Sequence, residues 1–176
     1  MGLLEKYLPD DISSWKKTNP DQFAIFILRI VIGLMWFTQT GIKLMRRSEN
    51  QYDDFDSFLG NLNYAALTHP ISGYSKFIYS MLIPNYKFLL ICVIFVELFI
   101  SLSIIFGVVS RLGATSGCLM TINLWFLTLG WDEWLWTYPL ILLPHIVLLI
   151  APSGRIIGID RYLYKIVKNK VINLMI

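Results

Sequence analysis

The sequence predicts an all-α fold: a polytopic membrane four-helix bundle with a structured external loop and a C-terminal interfacial amphipathic helix. Three observations predict it. Hydrophobic residues make up 56% of the 176 positions and the mean hydropathy is +0.59, too apolar for ordinary usage in a soluble domain. The apolar residues fall into four runs. Trp and Tyr gather near the ends of those runs, where amphipathic rings suit a membrane interface.

Residues 1–22 read as a cytoplasmic N-terminal segment that includes Glu5, Asp10 and Asp11. It lacks the plan of a cleaved signal peptide, so the first apolar run is expected to stay as an anchor. The bundle covers 23–151, with its first span over residues 23–44. In "TNPDQ" just before it, Asn19 can cap, Pro20 suits a first helical turn, and Asp21 faces the positive helix end. The loop 45–87 is too long for a plain connector. Its stretches "DDFDSFLGNLNYAAL" and "GYSKFIYSMLI", split by "THPISG", predict short amphipathic helices forming an external cap. Spans follow at 88–109, 112–129 and 136–150. At about 1.5 Å per residue the first two cross a core of about 30 Å. The last two are short, and a three-span alternative would leave "WLWTYPLILLPHIVLLIAP" re-entrant. Residues 152–176 form a basic tail with Ile159, Tyr162, Leu163, Ile166, Val167 and Val171 on one helical face, expected to lie along the inner membrane surface.

Four spans put both termini on one side. Lys6, Lys16, Lys17, Arg111, Arg155, Arg161, Lys165, Lys168 and Lys170 share it, while the opposite loops hold Glu49, Asp53, Asp54, Asp56, Asp132 and Glu133. The positive-inside rule then sets both termini in the cytoplasm of a multi-pass plasma-membrane protein. Lipid is therefore an expected partner. A net charge of +3, spread along the chain, leaves no footprint for nucleic acid. Cys92 and Cys118 lack the spacing of a metal site or redox pair and sit at different depths, so no disulfide between them is expected. No metal, haem, flavin or iron–sulfur motif is present in the sequence.

The polar residues inside the runs raise the functional question, since a charge at the bilayer centre costs about 3 kcal/mol on insertion scales. Glu97 and His145 each lie roughly 14 Å down from the outer surface by helical rise, with Gln39, Asn123 and Lys43 nearer to it. A bundle would gather them into one interior cluster. One reading is structural: the groups hydrogen-bond between helices and fix packing. The other is chemical. Glu97 and His145 relay protons beside a bound head group contacted by Gln39 and Asn123. A quinone fits, with two carbonyls, an apolar tail and protons taken up on reduction. Lys43, Arg46 and Arg47 cluster at the outer mouth of the first span, either as interfacial anchors or as an electropositive access point for a small anion. Arg29 and Arg111 are expected to be structural. Arg29 either snorkels to the inner interface or pairs with Glu97. Arg111 caps carbonyls in the inner turn or touches lipid phosphate.

An Arg early in the first span, "GLMWFTQTGIKL", a long loop carrying "THPISGYSKFIYSMLIPNYKF", then "VELFISLSIIFGVVSRLGA" and the closing "APSGRIIGIDRYL" together resemble the DoxX-like membrane proteins, most of all their DoxD branch. The resemblance runs from about Phe23 to Leu163. It implies a membrane subunit of an archaeal thiosulfate:quinone oxidoreductase. Such an enzyme joins two thiosulfates into tetrathionate at the outer face and passes the electrons to a membrane quinone. It also implies a small DoxA-like partner subunit and association with a terminal quinol oxidase. The competing expectations are a non-catalytic structural subunit of that oxidase and a small transporter.

Overall fold

The computed structural model describes residues 20–48, 58–132, 134, 136–167 and 175, excluding the side chains of 46–48. The expected Asn19 cap, the N-terminal basic residues, the side chains of Arg46 and Arg47, and the tail residues 168–174 lie outside these bounds. All regular structure among the described residues is helical. Helices run over Pro20–Ser48 (α1), Phe58–Thr68 (α2), Ser72–Phe77 (α3), Tyr86–Phe106 (α4), Ser110–Leu127 (α5), Thr137–Ile150 (α6), Ser153–Ile156 (α7) and Asp160–Ile166 (α8), and α3 continues as a π-helical turn over Ile78–Leu82. Two helices are long and apolar enough to cross a membrane, within α1 and α4; α6 is a shorter apolar helix.

The four longer helices pack α1 on α4, α4 on α5 and α5 on α6, and α6 returns to α1. Ile32, Trp36, Ile100, Ile104, Ala114 and Leu148 meet in their shared interior. Close approach of α1 and α4 depends on Gly33, where a Cβ would run into Ile105, backbone included. The Ser101 hydroxyl reinforces the contact by donating to the Gly33 carbonyl at 3.0 Å. The surface inverts the soluble pattern. Phe95, Leu119, Leu140 and Ile150 are exposed, whereas Arg29, Glu97, His145 and Asp160 are buried. An apolar exterior around a polar interior is what a hydrocarbon solvent selects.

At one end of the molecule, α2, α3 and the π-turn form a cap on α4 and α5. Leu62, Ala65, Ala66 and Ile78 make its core, with Leu82, Leu127 and Trp131 packed against them. His69 stitches the cap to α5: its Nε2–H donates to the Phe126 carbonyl at 3.0 Å, and its Nδ1 accepts the Ile71 N–H at 3.2 Å. Gly130 is obligatory here because a Cβ would strike the Thr68 carbonyl. The helices expected within the loop are present.

The opposite end corrects the expected tail. The α4 helix stops at Gly107, whose φ of 63° is the left-handed cap that favours glycine. The α4 helix therefore ends earlier, and α5 starts earlier, than the apolar pattern predicted. Among the described residues the chain after α6 is not one continuous amphipathic helix, although Ile159, Tyr162 and Ile166 stay exposed. It folds under the α4–α5 turn as α7 and α8, and Ile159 and Asp160 donate their N–H groups to Phe106 and Gly107 at 3.1 and 2.8 Å. The Asp160 carboxylate, fully buried, accepts the N–H groups of Val109 and Ser110 at 2.7 and 2.9 Å. It thereby satisfies donors that the start of α5 would otherwise leave orphaned. Arg29 binds the same knot, donating to the Ser153 carbonyl at 2.6 Å and to that of Ile157. The expected Arg29–Glu97 pair is thus not formed. Arg29 lies about 21 Å along α1 from the residue that does pair with Glu97, and carbonyls at its own depth take both of its terminal nitrogens.

Candidate functional site

Between the four-helix core and the cap lies a cavity of about 530 Å³. On α4 its lining residues are Tyr86, Leu89, Leu90, Val93 and Glu97, and on α5 they are Met120, Asn123, Leu124 and Leu127. Spacings of three and four put each set on one helical face. Each set spans roughly 10–16 Å of helix, so the cavity is elongated. Leu59, Leu62, Tyr74 and Phe77 of the cap line it together with Trp131. Burial in the cap pushes the Tyr74 phenol above its ordinary pKa.

The end away from the cap is polar. Lys43 Nζ lies 2.6 Å from Glu97 Oε1, joining α1 to α4. Glu97 is 1% exposed, while Lys43 keeps 25% of its side chain accessible. Glu97 Oε2 has no hydrogen-bond partner. The Thr40 hydroxyl is placed against the carboxylate but gives its proton to the Trp36 carbonyl at 3.0 Å. Gln39 and Asn123 line the same region. Near the cap, Trp131 Nε1–H is also buried and unpartnered. Chemically, this is an apolar, aromatic slot with an ion pair at its deep end, suited to an amphipathic molecule with a neutral polar head.

Of the residues singled out in the sequence, Gln39, Lys43, Glu97 and Asn123 come together here. His145 does not line the cavity. Its Nε2 accepts the Trp36 indole N–H at 2.8 Å and its Nδ1–H donates to the Ile141 carbonyl at 2.7 Å, so both ring nitrogens are engaged. It bridges α6 to α1 and packs on Gly117, where a Cβ would overlap the imidazole. A single cluster holding both Glu97 and His145 is therefore not formed, because α6 turns His145 toward Trp36. Arg111 is half-buried and its Nε has no partner; Asp160 caps the adjacent turn. Trp131, Tyr74 and Asp160 were not singled out from sequence. Asp160 carried one signal, as the sole acidic residue after the fourth apolar run.

Among the described residues, an all-helical architecture with an apolar exterior, two membrane-length helices and an ion pair facing a capped cavity is consistent with a helical membrane protein. The chain belongs to the DoxX family, whose profile matches residues 24–130. That match takes in α1 through α5 and every cavity-lining residue except Trp131 and Tyr138. No curated protein and no solved structure matches the chain.

Proposed function

We propose that the chain is a DoxD-type membrane subunit of a thiosulfate:quinone oxidoreductase, with the capped cavity as its quinone site. The observation that carries this reading is the pairing of an elongated apolar slot of about 530 Å³ with a half-buried Lys43–Glu97 pair at one end. A quinone ring is flat, uncharged and apolar except at its two oxygens. Val93, Met120 and Leu124 would flank the ring, while Lys43, Gln39 and Asn123 offer donors to an oxygen. When bound, the quinone supplies the two-electron, two-proton acceptor for the electrons that two thiosulfates release on joining. Glu97 is the proton-handling group at the deep end. His145, with both nitrogens engaged, holds α6 to α1.

All four longer helices cross the membrane on this reading, with both termini cytoplasmic. The cap then sits on the outer face, where a DoxA-like partner and thiosulfate meet it. Lys43 faces Glu97, so Arg46 and Arg47 are left as the anion access point. Supporting the four crossings is the apolar exterior shared by α1, α4, α5 and α6. The test is thiosulfate-dependent quinone reduction by the purified chain reconstituted with its partner. Reduction that requires the chain supports the assignment. An assembled complex that leaves quinone oxidised at saturating thiosulfate would instead make this chain a non-catalytic subunit.

A further inference from the structure

We infer that the deep end of the cavity selects the reduced, hydroxyl-bearing form of its ligand, a quinol over the corresponding quinone, through Glu97 Oε2. The inference rests on the quinone reading above and adds a preference for one oxidation state. Glu97 is almost wholly buried and lines the cavity. Its Oε1 is held by Lys43 Nζ at 2.6 Å, so the carboxylate is the charged, accept-only partner of an ammonium. Its Oε2 has no hydrogen-bond partner, and the Thr40 hydroxyl beside the carboxylate donates to the Trp36 carbonyl at 3.0 Å.

A ligand oxygen at this end meets two demands. Lys43 keeps N–H donors beyond the one given to Glu97, so the oxygen must accept. Glu97 Oε2 accepts only, so the oxygen must also donate. A quinol hydroxyl does both at once. A quinone carbonyl can only accept, so it leaves Oε2, already closed to water, as a buried charged acceptor without a partner, whereas a hydroxyl relieves that penalty. The ion pair also argues against a free anion in this position, since Glu97 already neutralises Lys43. The preference expected is at least about tenfold in Kd. By linkage, a tenfold preference raises the midpoint potential of the bound two-electron couple by about 30 mV. Bound quinone is thereby a better acceptor for electrons arriving from thiosulfate.

The test is calorimetric titration of the purified full chain in detergent, held anaerobically, with three probes: a decyl-tailed benzoquinone, its quinol, and the quinol's dimethyl ether. The ether keeps the ring and both oxygens but has no O–H. The quinol should bind at least about tenfold tighter than the other two. In Glu97→Gln, whose amide can donate to a carbonyl, the quinol-to-quinone ratio should fall to within about threefold. Quinone and quinol binding within about threefold of each other in the native protein would overturn the selection and leave the quinone site standing. Failure of all three probes to bind would instead overturn the quinone reading itself. A folded Glu97→Gln protein that retains the full preference would remove Glu97 from the role. If that variant does not fold, the quinol–ether comparison in the native protein decides alone.

Discussion

Lys43 and Glu97 differ in what each leaves behind when its partner is removed. Lys43→Met strands a carboxylate that is 1% exposed, while Glu97→Gln leaves an ammonium whose side chain retains 25% exposure and can lean toward water. Lys43→Met is therefore expected to cost about 3 kcal/mol or more, against about 1 kcal/mol for Glu97→Gln. Thermal unfolding of the two variants in the same detergent checks the order; equal losses would mean that the carboxylate is not held as a charge. Gly117 tests the neighbouring contact. Gly117→Ala presses a methyl onto the His145 ring, and should cost about 1–3 kcal/mol by overpacking. A variant as stable as the parent would show that α5 and α6 have room to part. Both charges of the pair were visible in the sequence because hydrocarbon penalises them. Their pairing was not, since it depends on how α1 and α4 are rotated. Trp131 escaped notice because an aromatic at the end of an apolar run reads as an interface anchor until a cap is seen covering it.

The elements most dependent on one side chain are the two connections flanking the core. His69 has two backbone partners, on Phe126 and Ile71. His69→Phe keeps a ring against Tyr74 and Phe126 but loses both bonds. Hydrogen exchange across 58–82 should quicken in this variant while α4 stays protected; uniform exchange rates in the two proteins would mean that packing alone holds the cap. At the other end, Asp160→Ala removes acceptors from two N–H groups at the start of α5 and should cost about 1–2 kcal/mol. Asp160→Asn, which keeps one acceptor oxygen, should recover part of that loss, and matched melting curves of the three proteins measure it. The long helices were legible from their apolar runs to within a few residues. The break in the tail was not legible, because its basic, amphipathic pattern reads as one helix and periodicity carries no sign that one carboxylate in it reaches N–H groups 50 and 51 positions earlier.

At the scale of the whole molecule, the four apolar runs specified helices and an inside-out distribution of polarity, but not the cap's position over a cavity, which follows from long-range packing. The proposed four crossings, with both termini on one side and the cap on the other, predict opposite signals from reporter fusions placed after Ile176 and within residues 53–57. Matching signals from the two would remove the four-crossing arrangement. The knot around Arg29 also bears on how the protein is made. The carbonyl partners of this guanidinium lie 124 and 128 residues further along the chain. At about 5–20 residues per second, the ribosome needs on the order of ten seconds to supply them. Throughout that interval the nascent chain carries an unsatisfied arginine in its first helix. A chain that ends prematurely never hides it, which gives membrane quality control a chemical mark separating unfinished copies from finished ones.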